Sequence, residues 1–257
     1  MNRILGVICL CLALAPGGVL AQERIEGIVT WSQRAELGTL VSGVISRVHV
    51  RPGQVVKRGD TLVELDERGF AGQVQRWLAE YRHARGLLAE AEREDERAAE
   101  LYDRTVLSDF ERNQALLAVD AARARQALAN ARLVDARLDL ERSRIKAPFD
   151  GVVLQVNAVP GQPVISEVQV QPLVALADNT RLTVRAELQA GSVAGVAAGQ
   201  VISLIAGDKP FEGTVAYVGM EPLPPGGSGL RYALHVDVDP GQAPGLRVGE
   251  TVLMELD

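Results

Sequence analysis

Two stretches decide how this chain reads: GVISRVHVRPGQVV at residues 43–56 and GVVLQVNAVPGQPV at residues 151–164. Gly43 and Gly53 are ten residues apart, as are Gly151 and Gly161, and Pro-Gly-Gln follows at the same point in both. The copies also close alike. Leu62-Val63-Glu64-Leu65-Asp66 ends the first, and Leu173-Val174-Ala175-Leu176-Ala177-Asp178 ends the second after three extra residues. Each copy reads as strand, turn, strand, with Pro52-Gly53 and Pro160-Gly161 as the turn signals and Lys57-Arg58-Gly59-Asp60 as a second turn. A repeat this short cannot bury a face alone, so the two copies are expected to pair into one small sandwich.

The sequence between the copies is helical in pattern. Phe70, Val74, Trp77, Tyr81, Ala84 and Leu88 open a seam that continues through Ala91, Asp95, Ala98 and Leu101. Its steps alternate four and three, the spacing of a heptad seam, with one polar break at Asp95. A second run is read through Leu117, Ala121, Ala124, Leu128, Ala131, Val134 and Leu138 to Ile145. A turn is expected near Asp103 to Leu107. Ser108-Asp109-Phe110-Glu111 has the form of a capping box at the start of the second arm, and Pro148 disfavours helix at Ala147. Two arms of about 36 residues make an antiparallel hairpin roughly 54 Å long at 1.5 Å per residue.

The repeat resembles the two half-motifs of the biotinyl/lipoyl fold. In carriers of that fold a tight hairpin bearing the modified lysine joins the halves. Here a helical insert joins them, and Lys57, Lys146 and Lys209 all lack the carrier setting, so no cofactor is expected. A split lipoyl domain with a helical insert resembles the HlyD-type membrane fusion proteins, the periplasmic adaptors of tripartite efflux pumps. Ile145-Lys-Ala-Pro-Phe-Asp-Gly-Val-Val153 is similar to the second-half signature of that family.

The resemblance implies a mainly β chain with a long α-helical hairpin insert, a split lipoyl-like (barrel-sandwich hybrid) domain and a C-terminal β-barrel. Residues 39–66 and 146–178 would be the lipoyl-like halves and 67–145 the hairpin. Residues 179–257 would form the barrel, with 22–38 contributing a strand. Within the barrel region, 182–188, 211–218, 232–238 and 246–256 read as strands, the last after a turn, and 191–199 as a short helix and turn. Residues 221–229 are a Pro/Gly linker, read either as a hairpin loop or as a contact loop.

The implied function is that of a non-catalytic adaptor. It would link an inner-membrane transporter, with the resistance-nodulation-division (RND) type favoured, to an outer-membrane TolC-type channel, as a homo-oligomeric ring that is hexameric in the family. An ABC-type exporter is the alternative pump, and a lipoyl or biotinyl carrier the distant alternative. In the family an Arg, a Leu and a Ser at the hairpin tip meet the channel, and Arg97, Leu101 and Ser108 stand here with that spacing, four then seven. Each also has a plainer reading: a solvated charge, the last seam residue and a helix cap. Many pump adaptors continue into a membrane-proximal β-domain. The sequence reaches Asp257 without one, so the barrel and the N-terminal segment are expected to make the inner-membrane contact, or a pump of another class is served.

The N-terminus reads as a cleaved signal peptide over residues 1–21, which implies export to a periplasm. Arg3 precedes the apolar run Ile4 to Ala15, and Val19-Leu20-Ala21 offers a small-residue cleavage site. Cys9 and Cys11, the only cysteines of the 257-residue chain, lie inside it, which leaves the mature protein no disulfide or thiolate chemistry. The net charge of −6 argues against a nucleic-acid partner. His49, His83 and His235 are far apart in sequence, so no metal site is expected. There is no Walker A loop for nucleotide hydrolysis.

Overall fold

A computed structural model describes residues 23–166, 171–224 and 229–256. The signal-peptide reading falls on residues outside these. In chain order the elements are β1 (Glu23–Trp31), β2 (Arg34–Leu37), β3 (Gly43–Val48), β4 (Val55–Val56), β5 (Thr61–Leu65), α1 (Arg68–Asp103), α2 (Asp109–Arg142) and β6 (Arg144–Lys146). There follow β7 (Gly151–Val156), β8 (Pro163–Val164), β9 (Val174–Ala177), β10 (Leu182–Gln189), β11 (Val201–Ala206), β12 (Lys209–Pro222), β13 (Arg231–Val238) and β14 (Thr251–Leu256). The chain divides into two compact units. Among the described residues Trp31–Arg181 is one, and Glu23–Thr30 with Leu182–Leu256 is the other.

In the first unit the two sequence copies exchange their short strands. One four-stranded sheet runs β2–β9–β7–β4 and the other β6–β5–β3–β8, so β4 of the first copy completes the sheet of the second, and β8 does the reverse. The repeated Pro-Gly-Gln makes this exchange. Gly53 N–H donates to the Val153 carbonyl at 2.8 Å, and Val153 N–H donates to the Gln54 carbonyl at 2.9 Å. The other copy repeats both bonds: Gly161 N–H to Ile45 at 2.8 Å and Ile45 N–H to Gln162 at 2.9 Å. Gly53 and Gly161 take the left-handed conformation the turn needs, with φ of 81° and 89°. The side-chain oxygens of Gln54 and Gln162 close each turn by accepting from Arg51 N–H and Val159 N–H. Ile45, Leu62, Leu65, Val153, Leu173 and Leu176 fill the space between the sheets, each at most 1% exposed.

The N-terminal segment, expected to serve the barrel, divides. β1 joins the barrel, while β2 pairs with β9 in the sandwich unit, beginning with Arg34 against Ala177. Ile145, expected to end the helical run, lies instead in β6 and is buried in the sandwich core.

α1 and α2, of 36 and 34 residues, pack side by side in opposite directions. Contacts fall in α2 number as they rise in α1: Trp77 under the Arg132 guanidinium, Leu88 with Val119 and Ala122, Asp95 with Arg112. Every expected seam position of α1 from Phe70 to Leu101 is buried or half-buried. The seam read for α2 is not the one that packs. Val119, Ala122, Ala129, Leu133 and Ala136 are buried, whereas Leu117, Ala121, Ala124, Leu128, Ala131, Val134 and Leu138 are all exposed. α2 carries two apolar stripes on opposite faces, and the sequence reading chose the outer one.

The second unit is a closed six-stranded barrel in the order β1–β10–β13–β12–β11–β14, sealed by β14 pairing antiparallel with β1. Alternate residues point inward, and Val29, Val184, Leu188, Leu204, Val236 and Met254 are fully buried. β11 was not anticipated from the sequence. Residues 191–199 contain a single 3₁₀ turn at Val193–Gly195.

Candidate functional site

The joined ends of α1 and α2 hold all three sequence-predicted contact residues. α1 stops because the chain turns left-handed at Thr105, with φ of 60°. Thr105 N–H donates to the Tyr102 carbonyl at 2.8 Å and Val106 N–H to the Leu101 carbonyl at 3.0 Å. This is the pair of bonds of a Schellman motif, with threonine where glycine is usual. α2 then starts on a complete capping box: Ser108 Oγ accepts from Glu111 N–H, and Glu111 reaches back to Ser108 N–H at 3.0 Å. Those hydrogen bonds hold the Glu111 carboxyl below its usual range. Asp109 and Glu111 also place negative charge at the positive end of the helix dipole. The Tyr102 phenol hydrogen-bonds to Asp109 across the turn, and that carboxylate raises the phenol above its ordinary pKa.

Of the three predicted residues, Arg97 is exposed and paired with Glu94 one turn below it at 2.6 Å. Leu101 lies one turn above Arg97 on the same face and is half-buried. Ser108 is exposed and engaged as the cap. The surface itself holds two residues the sequence reading passed over: Val106 and Phe110 are 69% and 71% exposed. Their signal was present, since a turn of polar residues has no structural need for a valine and a phenylalanine. After Met220 they are the most exposed large apolar side chains among the described residues.

The base of the helix pair is fixed to the sandwich. Ser143 is fully buried; its N–H donates to the Asp139 carbonyl at 3.0 Å, and its own carbonyl accepts from Leu65 N–H at 2.9 Å. Arg144 grips Glu67 with two nitrogens, and this holds the Glu67 carboxyl below its usual range. Among the described residues no group of three or more His, Cys, Asp or Glu could hold a metal ion. No helix among them is long and apolar enough to cross a membrane.

Residues 33–178 match the model of the CzcB-like barrel-sandwich hybrid domain. The macrolide export protein MacA of Yersinia pestis is 28% identical over 220 residues, covering 77% of this chain and 57% of MacA. The nodulation protein NolF of Rhizobium meliloti is 30% identical over 227 residues, covering 86% of this chain and 60% of NolF. The chain thus spans little more than half the length of these curated relatives. In fold it is similar to the membrane fusion protein Spr0693 of Streptococcus pneumoniae R6, with a TM-score of 0.74 and 22% identity, covering 91% of this chain and 98% of that one. With more than half of its length matched to the domain model, and the strand-exchanged sandwich present, the chain belongs to the CzcB-like barrel-sandwich hybrid family.

Proposed function

We propose that the chain is the periplasmic adaptor of an efflux assembly, standing between an inner-membrane transporter and an outer-membrane channel of the TolC type. In this reading residues 39–66 and 146–178 are the lipoyl-like halves and 67–145 an antiparallel coiled-coil hairpin. Residues 179–257, with a strand from 22–38, are the barrel. Residues 1–21 direct export to the periplasm. The role is structural and needs no catalytic group.

The observation that carries the reading is the tip. A helix pair roughly 50 Å long, at 1.5 Å per residue, holds Val106 and Phe110 open to solvent at the end away from the sandwich. A rod of that kind delivers a contact surface to a partner several nanometres from its base. Arg97, Leu101 and Ser108 would frame that contact. An RND-type transporter is the favoured inner-membrane partner, and the ring would be hexameric if it follows the family. The names of two relatives, a macrolide export protein and a multidrug resistance protein, accord with efflux as the process served. An ABC-type exporter is the competing pump.

The test is photo-crosslinking in intact cells with a reactive residue at position 101, followed by mass spectrometry. Capture of an outer-membrane channel is the expected result. Capture of the protein itself alone, or of nothing, in an assembled complex would show that Leu101 only packs the seam.

A further inference from the structure

One end of the barrel holds a cavity of about 580 Å³, between the β11–β12 turn and the loop from β13 to β14. That volume falls within the roughly 300–1,000 Å³ of small-molecule sites. Phe211 and Leu246, with Ala206 and Ala243, give it an apolar lining. Phe211 points inward from β12 and is 8% exposed, so its ring holds a fixed place in the wall. Gly207 turns left-handed, with φ of 59°, which lets β11 pass directly into β12 and sets Asp208 beside the cavity.

The facing wall is a loop that holds its own shape. Residues 239–250 fold as three successive turns. Gln242 N–H donates to the Asp239 carbonyl at 3.0 Å, Leu246 N–H to Ala243 at 3.1 Å and Glu250 N–H to Arg247 at 3.1 Å. The last turn is tied to β1 by two further bonds, Gly249 N–H to the Val29 carbonyl and Val29 N–H to the Glu250 carbonyl, each 2.9 Å. A wall whose backbone is satisfied in this way stands before any ligand arrives, so binding does not have to order it.

Asp208 lines the cavity from the turn and Glu250 from the loop, and Lys209 is the one cation that lines it. None of the three side chains is in an ion pair or a hydrogen bond among the described residues. Two free carboxylates against one ammonium leave an excess of negative charge beside an apolar lining. A neutral ligand would leave that charge unanswered, and an anion would be repelled by it. We propose that the cavity binds a small organic cation, with its apolar body against Phe211 and Leu246 and its charged group toward Asp208 and Glu250. Every group involved belongs to the barrel, so the proposal stands apart from the adaptor reading.

The test is a fluorescence-anisotropy titration of the purified full chain with ethidium, a planar cation with an apolar body. An anilinonaphthalene sulfonate, an anion of similar size, is titrated beside it. Saturable binding of ethidium at one site per chain is expected, and it should weaken as salt is added. The sulfonate should bind about tenfold more weakly, since its charge has the sign of the site's own. Asp208→Asn and Glu250→Gln should each weaken ethidium by about threefold, the size of a solvent-exposed ion pair, with the melting temperature unchanged. Ala243→Phe, which fills the cavity, should abolish binding in protein that circular dichroism shows to be folded. If that variant does not fold, the two charge-neutralised variants and their combination decide. Lack of saturable ethidium binding, equal affinity for the sulfonate, unchanged affinity in the combined Asp208→Asn and Glu250→Gln variant, or binding that persists in folded Ala243→Phe would each overturn the proposal.

Discussion

Asp95 and Arg112 form an ion pair that crosses from α1 to α2, each side chain about three-quarters shielded from solvent. Asp95 is the one polar residue in the α1 seam, and this contact accounts for it. Removing the carboxylate leaves a largely shielded guanidinium without a partner. Because the pair is still partly solvated, its coupling should be about 1 kcal/mol. Asp95→Ala should lower the unfolding free energy by about that amount. The double variant with Arg112→Ala should cost less than the sum of the two single variants, measured by urea denaturation as a double-mutant cycle.

Ser108 has two proposed roles, and two substitutions separate them. Ser108→Ala loses the cap and should cost about 1 kcal/mol. Ser108→Asp keeps a good N-cap but changes the charge and shape offered at the tip. If Ser108 only caps, Ser108→Asp supports efflux as the parent does in a transport assay on the intact assembly. If it also meets the channel, Ser108→Asp is as stable as the parent yet impaired in efflux.

Thr105 holds a left-handed conformation that β-branched residues rarely adopt. Glycine takes that conformation without the steric penalty, which is roughly 1–2 kcal/mol for an L-residue. Thr105→Gly should therefore raise the stability of the helix pair by about 1 kcal/mol, read as slower hydrogen exchange at the ends of α1 and α2.

Gly151 sits against the backbone of β9. A Cβ at Gly151 would lie 2.2 Å from the Ala177 carbonyl oxygen, which cannot swing aside as a side chain could. Gly151→Ala should destabilise the sandwich by about 3 kcal/mol, the upper end for an overpacked core. Gly43, the matching position of the first copy, meets only the flexible end of Leu65 at 3.2 Å. Gly43→Ala should be much milder. Thermal melts of the two variants check the contrast.

The Glu67–Arg144 pair makes the base of the helix pair acid-sensitive. Arg144 lowers the Glu67 pKa in the folded state. A depressed carboxylate stabilises the fold above its unfolded pKa, about 4.3, and that contribution fades as pH falls through the folded value. Glu67→Gln should thus be less stable than the parent at pH 6, and the difference should shrink below pH 4. Denaturation curves across that range give the result.

The sandwich was readable because its two copies repeat the same turn chemistry at the same spacing. The phase of α1 was readable because Phe70, Trp77 and Tyr81 are too large to leave in solvent and fall on one face. α2 defeated the same reasoning. It has alanines and leucines on two opposite faces, and periodicity gives the spacing of a stripe but not which stripe is inside. Arg112 held the clue, since it stands two helical turns before Val119, on the same face, and answers Asp95. β11 was missed although its signal was present: Ile202 and Leu204 are buried and alternate with the exposed Val201 and Ser203, and a Gly207-Asp208 turn joins it to β12. At the tip, Arg97, Leu101 and Ser108 came from family resemblance. The open side chains of Val106 and Phe110 became evident only once the turn had a shape.

The strand exchange has a consequence for how the protein is made. β4 is the edge of the sheet that holds β7 and β9, and β8 the edge of the one that holds β3 and β5, so neither copy can complete its sheet while the other is unsynthesised. A nascent chain can pair β3 with β5, but β4 has no strand partner until β7 has left the ribosome, and β3 lacks its second neighbour until β8 has. Long-range pairings of this kind are slow to form because the intervening loop must first be closed. The helix pair can close progressively from its turn, Asp95–Arg112 before Trp77–Arg132, and so draw Leu65 to Ser143, whose backbones meet at 2.9 Å. The element that reaches outward in the finished molecule thus acts during synthesis as the clamp that shortens the search, and its defects should appear first as poor folding yield.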